Sequence, residues 1–112
     1  MAGKLYNLSP SVVSVNGMTG CLLTIGFGQP ATNDQIVQEV KDSMDELVAA
    51  GTFAGMKFIL VNGPASLPVS FTVAHAVCHI VGYLGVFDPK LDKYVVSVSH
   101  GGPAVGSTVR VD

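Results

Sequence analysis

"FILVNGPASLPVSFTVAHAVCHIVGYLGVF", Phe58 to Phe87, contains no Asp, Glu, Lys or Arg. Taken as one apolar block it invites a membrane reading. Asn62-Gly63-Pro64 and Gly82 break it, however, and the apolar helix between them has roughly 14 residues where a span needs ~20. Divided at those breaks, it reads as strand, turn, helix and strand. Lys57 to Val61 is a buried strand, "NGPAS" a turn, and Ser66 the N-cap of a helix that tolerates Pro68 in its first turn. The helix runs to about Ile80 and is apolar nearly all round, so both its faces should be covered. Tyr83 to Phe87 is the next strand, stopped by Asp88-Pro89.

Working outward, Val12 to Val15 and Cys21 to Ile25 form two short strands joined by a turn at Asn16-Gly17. Thr32 or Asn33 caps a first helix whose apolar stripe is Ile36, Val37, Val40, Met44, Leu47 and Val48. Glu39, Lys41, Asp42 and Asp45 lie largely opposite, and Gly51 ends the helix. Beyond Asp88, Lys90 to Lys93 turns the chain into a strand at Tyr94 to Val98, and Thr108 to Val111 adds an edge strand. The alternation predicts an α/β, Rossmann-like single domain over residues 1–112. Its mixed sheet should carry two main helices and a C-terminal β-hairpin.

The 112 residues are 48% hydrophobic and only 12% charged, more apolar than so small a monomer needs, so a homo-oligomer is expected. A net charge of −2 provides no basic field for DNA or extended RNA. A compact anionic ligand remains open. No basic region followed by an apolar run opens the chain, so neither a signal peptide nor a membrane association is expected. Cys21 and Cys78 sit among apolar neighbours, as reduced, packed thiols of a cytoplasmic protein would.

Four places carry candidate chemistry. Asn62, Gly63, Pro64, Ala65 and Ser66 join a strand to a helix N-terminus, which makes either an anion site or merely a tight turn with a good cap. His75 and His79 lie four residues apart, one helical turn; a structural zinc site would need four ligands, and a core histidine is the bland alternative. Asp88 ends a buried strand, where open α/β sheets place functional carboxylates, and Lys90 can bring a positive charge to a phosphate. His100 ends another strand before two glycines that permit close approach.

In this order the pieces resemble a known family. Asn62-Gly63, Ala74-His75, His79, Val86-Phe87-Asp88-Pro89-Lys90-Leu91 and Val95 to His100 are similar to the stand-alone third family of type III CRISPR ring nucleases, distant relatives of the CRISPR-associated Rossmann-fold (CARF) proteins. The similarity covers roughly Lys57 to Asp112. It implies a CARF-like domain that dimerises and cleaves cyclic tetra-adenylate to short linear oligoadenylates with manganese, switching off type III CRISPR antiviral signalling. It also implies catalytic roles for His79, Asp88 and Lys90, where some members carry Arg at the last position. The family has been described as a deadenylating 3′ exoribonuclease too. Pro64 and Pro68 stand where the family often has Arg and Trp. Manganese accepts imidazole and carboxylate, so His79, Asp88 and His100 are its candidate ligands. Asn62 to Ser66 and His100 are the candidate substrate contacts.

A geometric consequence follows from the alternation itself. A crossover helix returns to the start of the next strand, so His79 should lie at one end of Tyr83–Phe87 and Asp88 beyond the other, roughly 15–17 Å away. If both act on one phosphate, they must meet across protomers, with a ring held between two dimers and His75 as packed support for His79. A noncatalytic sensor of cyclic oligoadenylate and a plain assembly module built on the uncharged helix are the competing readings.

Overall fold

Asn16 and Gly17 both adopt positive φ, 50° and 79°, as the centre of a type I′ hairpin turn requires. In the computed structural model, which describes residues 4–112, that turn joins β1 (Tyr6–Val15) to β2 (Met18–Phe27) in unbroken antiparallel register from Val15↔Met18 to Tyr6↔Phe27. Both strands are longer than the apolar alternation indicates. The reason is position: β1 is an edge strand, where Pro10 interrupts no ladder that matters.

The chain continues through α1 (Asn33–Ala49), β3 (Phe58–Asn62), α2 (Leu67–Val77) and β4 (Tyr83–Asp88), then β5 (Lys93–Ser99) and β6 (Thr108–Val109). The six strands form one mixed sheet in sequence order, with β2, β3 and β4 parallel and the rest antiparallel. This is the expected α/β domain, with its β-α-β-α-β run and the β4–β5 hairpin after it. Two right-handed crossovers stepping the same way put both helices on one face. There Ile36, Val40 and Met44 of α1 and Val69, Val73 and Val77 of α2 pack on Cys21, Leu23, Ile25, Ile59 and Leu84. Glu39 of α1 fastens the sheet edge, its Oε2 accepting from the amides of Leu5 (2.8 Å) and Tyr6 (2.9 Å).

The second face is covered without a helix. Val15, Phe58, Leu60, Tyr83, Tyr94 and Val96 form their own cluster there. Missing side chains make the room: a Cβ on Gly20 would collide with the Phe58 ring, and one on Gly85 would stand 2.8 Å from Leu60. Phe58 in turn stacks on Tyr83 with centroids 5.3 Å apart. The chain after β6 reaches back to the first hairpin, where the amide of Asp112 donates to Ser14 O at 2.8 Å. The Asp112 carboxylate accepts from the Gly17 and Asn16 amides and the Ser14 hydroxyl, which hold it below the usual carboxylate range. The segment after β6 is thus clasped to the first hairpin through Asp112.

Other expectations change too: β6 stops at Val109, not Val111. Helix α2 ends at Val77 with Cys78 as its cap, not at Ile80, because Val81 must turn inward and the Gly82 amide must reach Lys57 O at 2.9 Å to start β4. Nor is α2 covered all round within the chain: Leu67 is 76% exposed and Phe71 74%. Among the described residues no helix is long and apolar enough to cross a membrane.

The Gly20–Phe58 contact gives a direct test. Gly20→Ala should cost about 1–3 kcal/mol, as overpacking of a closed core does. Gly26→Ala, in the same strand with open space at its Cβ, should be neutral or slightly stabilising. Chemical denaturation of the two variants checks the difference.

Candidate functional site

Because β2, β3 and β4 are parallel, their C-terminal ends gather the "NGPAS" loop, the N-termini of both helices and the Asp88–Lys90 turn. Each part of the loop is fixed by a bond within the chain. Asn62 Nδ2 donates to Tyr94 Oη at 3.5 Å, on the face away from the helices. Gly63 has φ 136°, and a Cβ there would collide with Ile25 O. The carbonyl of Pro64 accepts from the Tyr6 hydroxyl at 2.5 Å. Burial pushes the Tyr6 phenol up to about 12, so it is a donor throughout the physiological range.

Ser66 does what its position predicts. Its Oγ accepts from Val69 N at 3.3 Å and lies 2.9 Å from Asn33 Oδ1, to which its hydroxyl donates. With the Val69 amide capped and Pro68 lacking one, the first turn of α2 offers an anion few free donors. The geometry of Asn62 to Ser66 is therefore first that of a tight, capped turn. Ala65 lines an apolar cleft of about 100 Å³ beneath α2, with Val61, Val73, Val77 and Val86 among its walls.

Asp88 closes β4 opposite Lys93. Its Oδ1 accepts from the amides of Lys90 (2.8 Å) and Leu91 (3.3 Å), and its carbonyl from Asp92 N at 2.8 Å. Lys90 is exposed at the tip of that turn.

The histidines are elsewhere. His79 lies just past the end of α2, and His100 just past the end of β5. The β4–β5 register brings Ser99 opposite Tyr83, and the His100 amide donates to Gly82 O at 2.7 Å. The two imidazoles consequently face one another with ring centroids 5.7 Å apart and planes tilted 31°. Both are exposed. His75 is exposed as well, beside Phe71 and Lys41 in the groove between the helices, so it is not the packed support expected for His79.

One chain therefore holds two half-sites. Asn62–Ser66, Asp88 and Lys90 occupy the C-terminal end of β4, His79 and His100 the other end, about 17 Å away by strand rise. His100 is not beside the "NGPAS" loop with which the sequence grouped it. The proposed manganese ligands are divided in the same way. Among the described residues no group of three or more His, Cys, Asp or Glu could hold a metal ion. Manganese bound by all three would have to draw its ligands from more than one copy.

Tyr6 and Asn33 hold the loop; the sequence offers Asn33 only as an alternative to Thr32 for the cap of α1, which is Thr32, and gives Tyr6 no role. Tyr6 carried a usable signal, as a large aromatic in an edge strand whose hydroxyl needs a partner when buried. Asn33 carried only a signal for capping α1, none for contact with Ser66. Tyr6→Phe, which leaves the Pro64 carbonyl without its donor, should cost about 1 kcal/mol. Thermal unfolding measures that cost, and amide exchange around residues 63–66 should quicken in the variant.

No family model, curated protein or solved structure matches this chain.

Proposed function

We propose that this protein is an RNA phosphodiesterase of the cytoplasm that opens cyclic tetra-adenylate, the activity of the ring-nuclease family it resembles. The observation that carries the proposal is the pairing of His79 with His100, centroids 5.7 Å apart. The resemblance puts the catalytic histidine at His79, and the fold sets a second exposed imidazole against it. Two imidazoles suit a reaction that must take a proton from a nucleophile and give one to a leaving oxygen, since a histidine changes charge near neutral pH. The Lys90 side chain would offset charge developing on the phosphate oxygens.

In this reading a phosphate meets His79 and His100 of one copy and the Asp88–Lys90 turn of another. Strand β4 keeps the two groups too far apart for a single copy, because acid–base contacts need about 3 Å. The exposed Leu67 and Phe71 of α2 provide apolar side chains through which copies can pair. Pairs of dimers would then face each other across the ring. The resemblance adds manganese as a dependence to be measured: chelation is expected to abolish cleavage, and manganese to restore it better than calcium.

Complementation tests the shared site. His79→Ala and the double variant Asp88→Ala/Lys90→Ala should each be inactive on labelled cyclic tetra-adenylate. Mixed in equal amounts, they should recover on the order of a tenth or more of wild-type activity, since mixed assemblies retain some intact sites. A mixture that stays inactive, although both proteins fold and bind the ring, rules the shared site out. Wild-type protein that binds the ring without cutting it identifies a sensor instead.

A further inference from the structure

The carboxylate of Asp88 is already engaged in the turn it begins. Oδ1 accepts from two successive amides, Lys90 N at 2.8 Å and Leu91 N at 3.3 Å. Behind them the main chain closes the loop, Asp92 N donating to Asp88 O at 2.8 Å. Asp92 takes the left-handed conformation this closure needs, with φ 54°. Pro89 holds the first turn residue at the φ its ring dictates. Between Asp88 and Lys93, the last residue of β4 and the first of β5, the backbone of Lys90 is thus held from both sides while its side chain projects to solvent.

We propose that Asp88 is a positioning residue for Lys90, not a catalytic acid, base or metal ligand. It fixes the turn so that the Lys90 ammonium stands where a phosphate of the incoming nucleotide arrives. This rests on the phosphodiesterase reading above and reassigns one residue within it. What the role demands is a hydrogen-bond acceptor at Oδ1, not a negative charge. An amide oxygen in the same place serves equally well, because a side-chain carbonyl accepts from two N–H groups as a carboxylate does. Proton transfer or metal ligation, by contrast, requires the carboxylate itself, and losing a general acid or base typically costs 10²–10⁴-fold in rate.

The two roles separate on a set of variants assayed with cyclic tetra-adenylate. If Asp88 acts through Lys90, Asp88→Asn should stay within about threefold of wild type in kcat/KM. Asp88→Ala should lower kcat/KM by about a hundredfold or more, mainly through kcat while the ring is still bound, and Lys90→Ala should do the same. The double variant Asp88→Ala/Lys90→Ala should be no worse than Lys90→Ala alone, since residues that work as one unit are not additive. If Asp88→Asn falls as far as Asp88→Ala while its thermal unfolding is unchanged, or the double variant falls well below Lys90→Ala, the proposal is overturned. A second readout needs no activity. Hydrogen exchange at the Lys90 and Leu91 amides should be slow in wild type and Asp88→Asn and fast in Asp88→Ala. Protection that survives Asp88→Ala overturns the proposal directly. Wild-type protein that neither binds nor cuts the ring would end the phosphodiesterase reading, and the exchange pattern would still decide what holds the turn.

Discussion

Strand β4 is the constraint on which the rest of the molecule depends. All six of its residues, Tyr83 to Asp88, pair with β5 in antiparallel register, and Tyr83 to Val86 pair with β3 in parallel as well. A strand paired on both sides has a fixed rise and cannot shorten to bring its ends together. Whatever leaves α2 and enters β4 is therefore kept at one end of the sheet, and whatever leaves β4 for β5 is kept at the other. His79 belongs to the first group and Asp88 with Lys90 to the second. The hairpin then returns the chain to its starting level and sets His100 beside His79. The division of the candidate site is a property of the ladder, before any side chain is considered.

What keeps that ladder rigid is packing on both faces. Phe58, Ile59 and Leu60 of the neighbouring strand are each fully buried, Ile59 under the helices and the other two in the cluster on the opposite face. The helices cover one side by ordinary crossover geometry. The other side carries its own cluster, packed where glycines leave room for aromatic rings, with the Asp112 clasp on the first hairpin beyond it. A bulge between Leu84 and Gly85 completes the arrangement. It sets Leu84 opposite Val98 but Gly85 opposite Val96, so that one residue of β5 is skipped and Val98 packs on the helix side while Val96 stays on the other. A shift of one residue exchanges the faces of a strand.

The order of elements was legible because it rests on local chemistry. Asn16-Gly17 specifies a type I′ turn, Ser66 a helix cap and Asp88-Pro89 a strand end, each from neighbours within a few residues. The division between His79 and Asp88 was legible for the same reason, since it follows from alternation alone. The packing of the second face was not, because Gly20 meets Phe58 and Asp112 meets Ser14 only once the sheet exists. The His79–His100 contact was hidden in the β4–β5 register. His75 was misjudged because an apolar sequence around a histidine does not say which side of the helix lacks a neighbour. The use of Asp88 Oδ1 within its own turn could have been suspected from Asp-Pro-Lys, yet the same three residues fit a catalytic carboxylate equally well.

If the two ends of β4 serve one phosphate only by meeting in different copies, the assembly must show it in its stoichiometry. Native mass spectrometry of an uncleaved cyclic tetra-adenylate analogue with the protein measures that ratio directly. The account predicts that the ring is held at saturation as one molecule per four chains, and that no smaller assembly carries it in quantity. Saturation at one ring per chain, or at one ring per isolated dimer that turns over the natural ring at full rate, would contradict it.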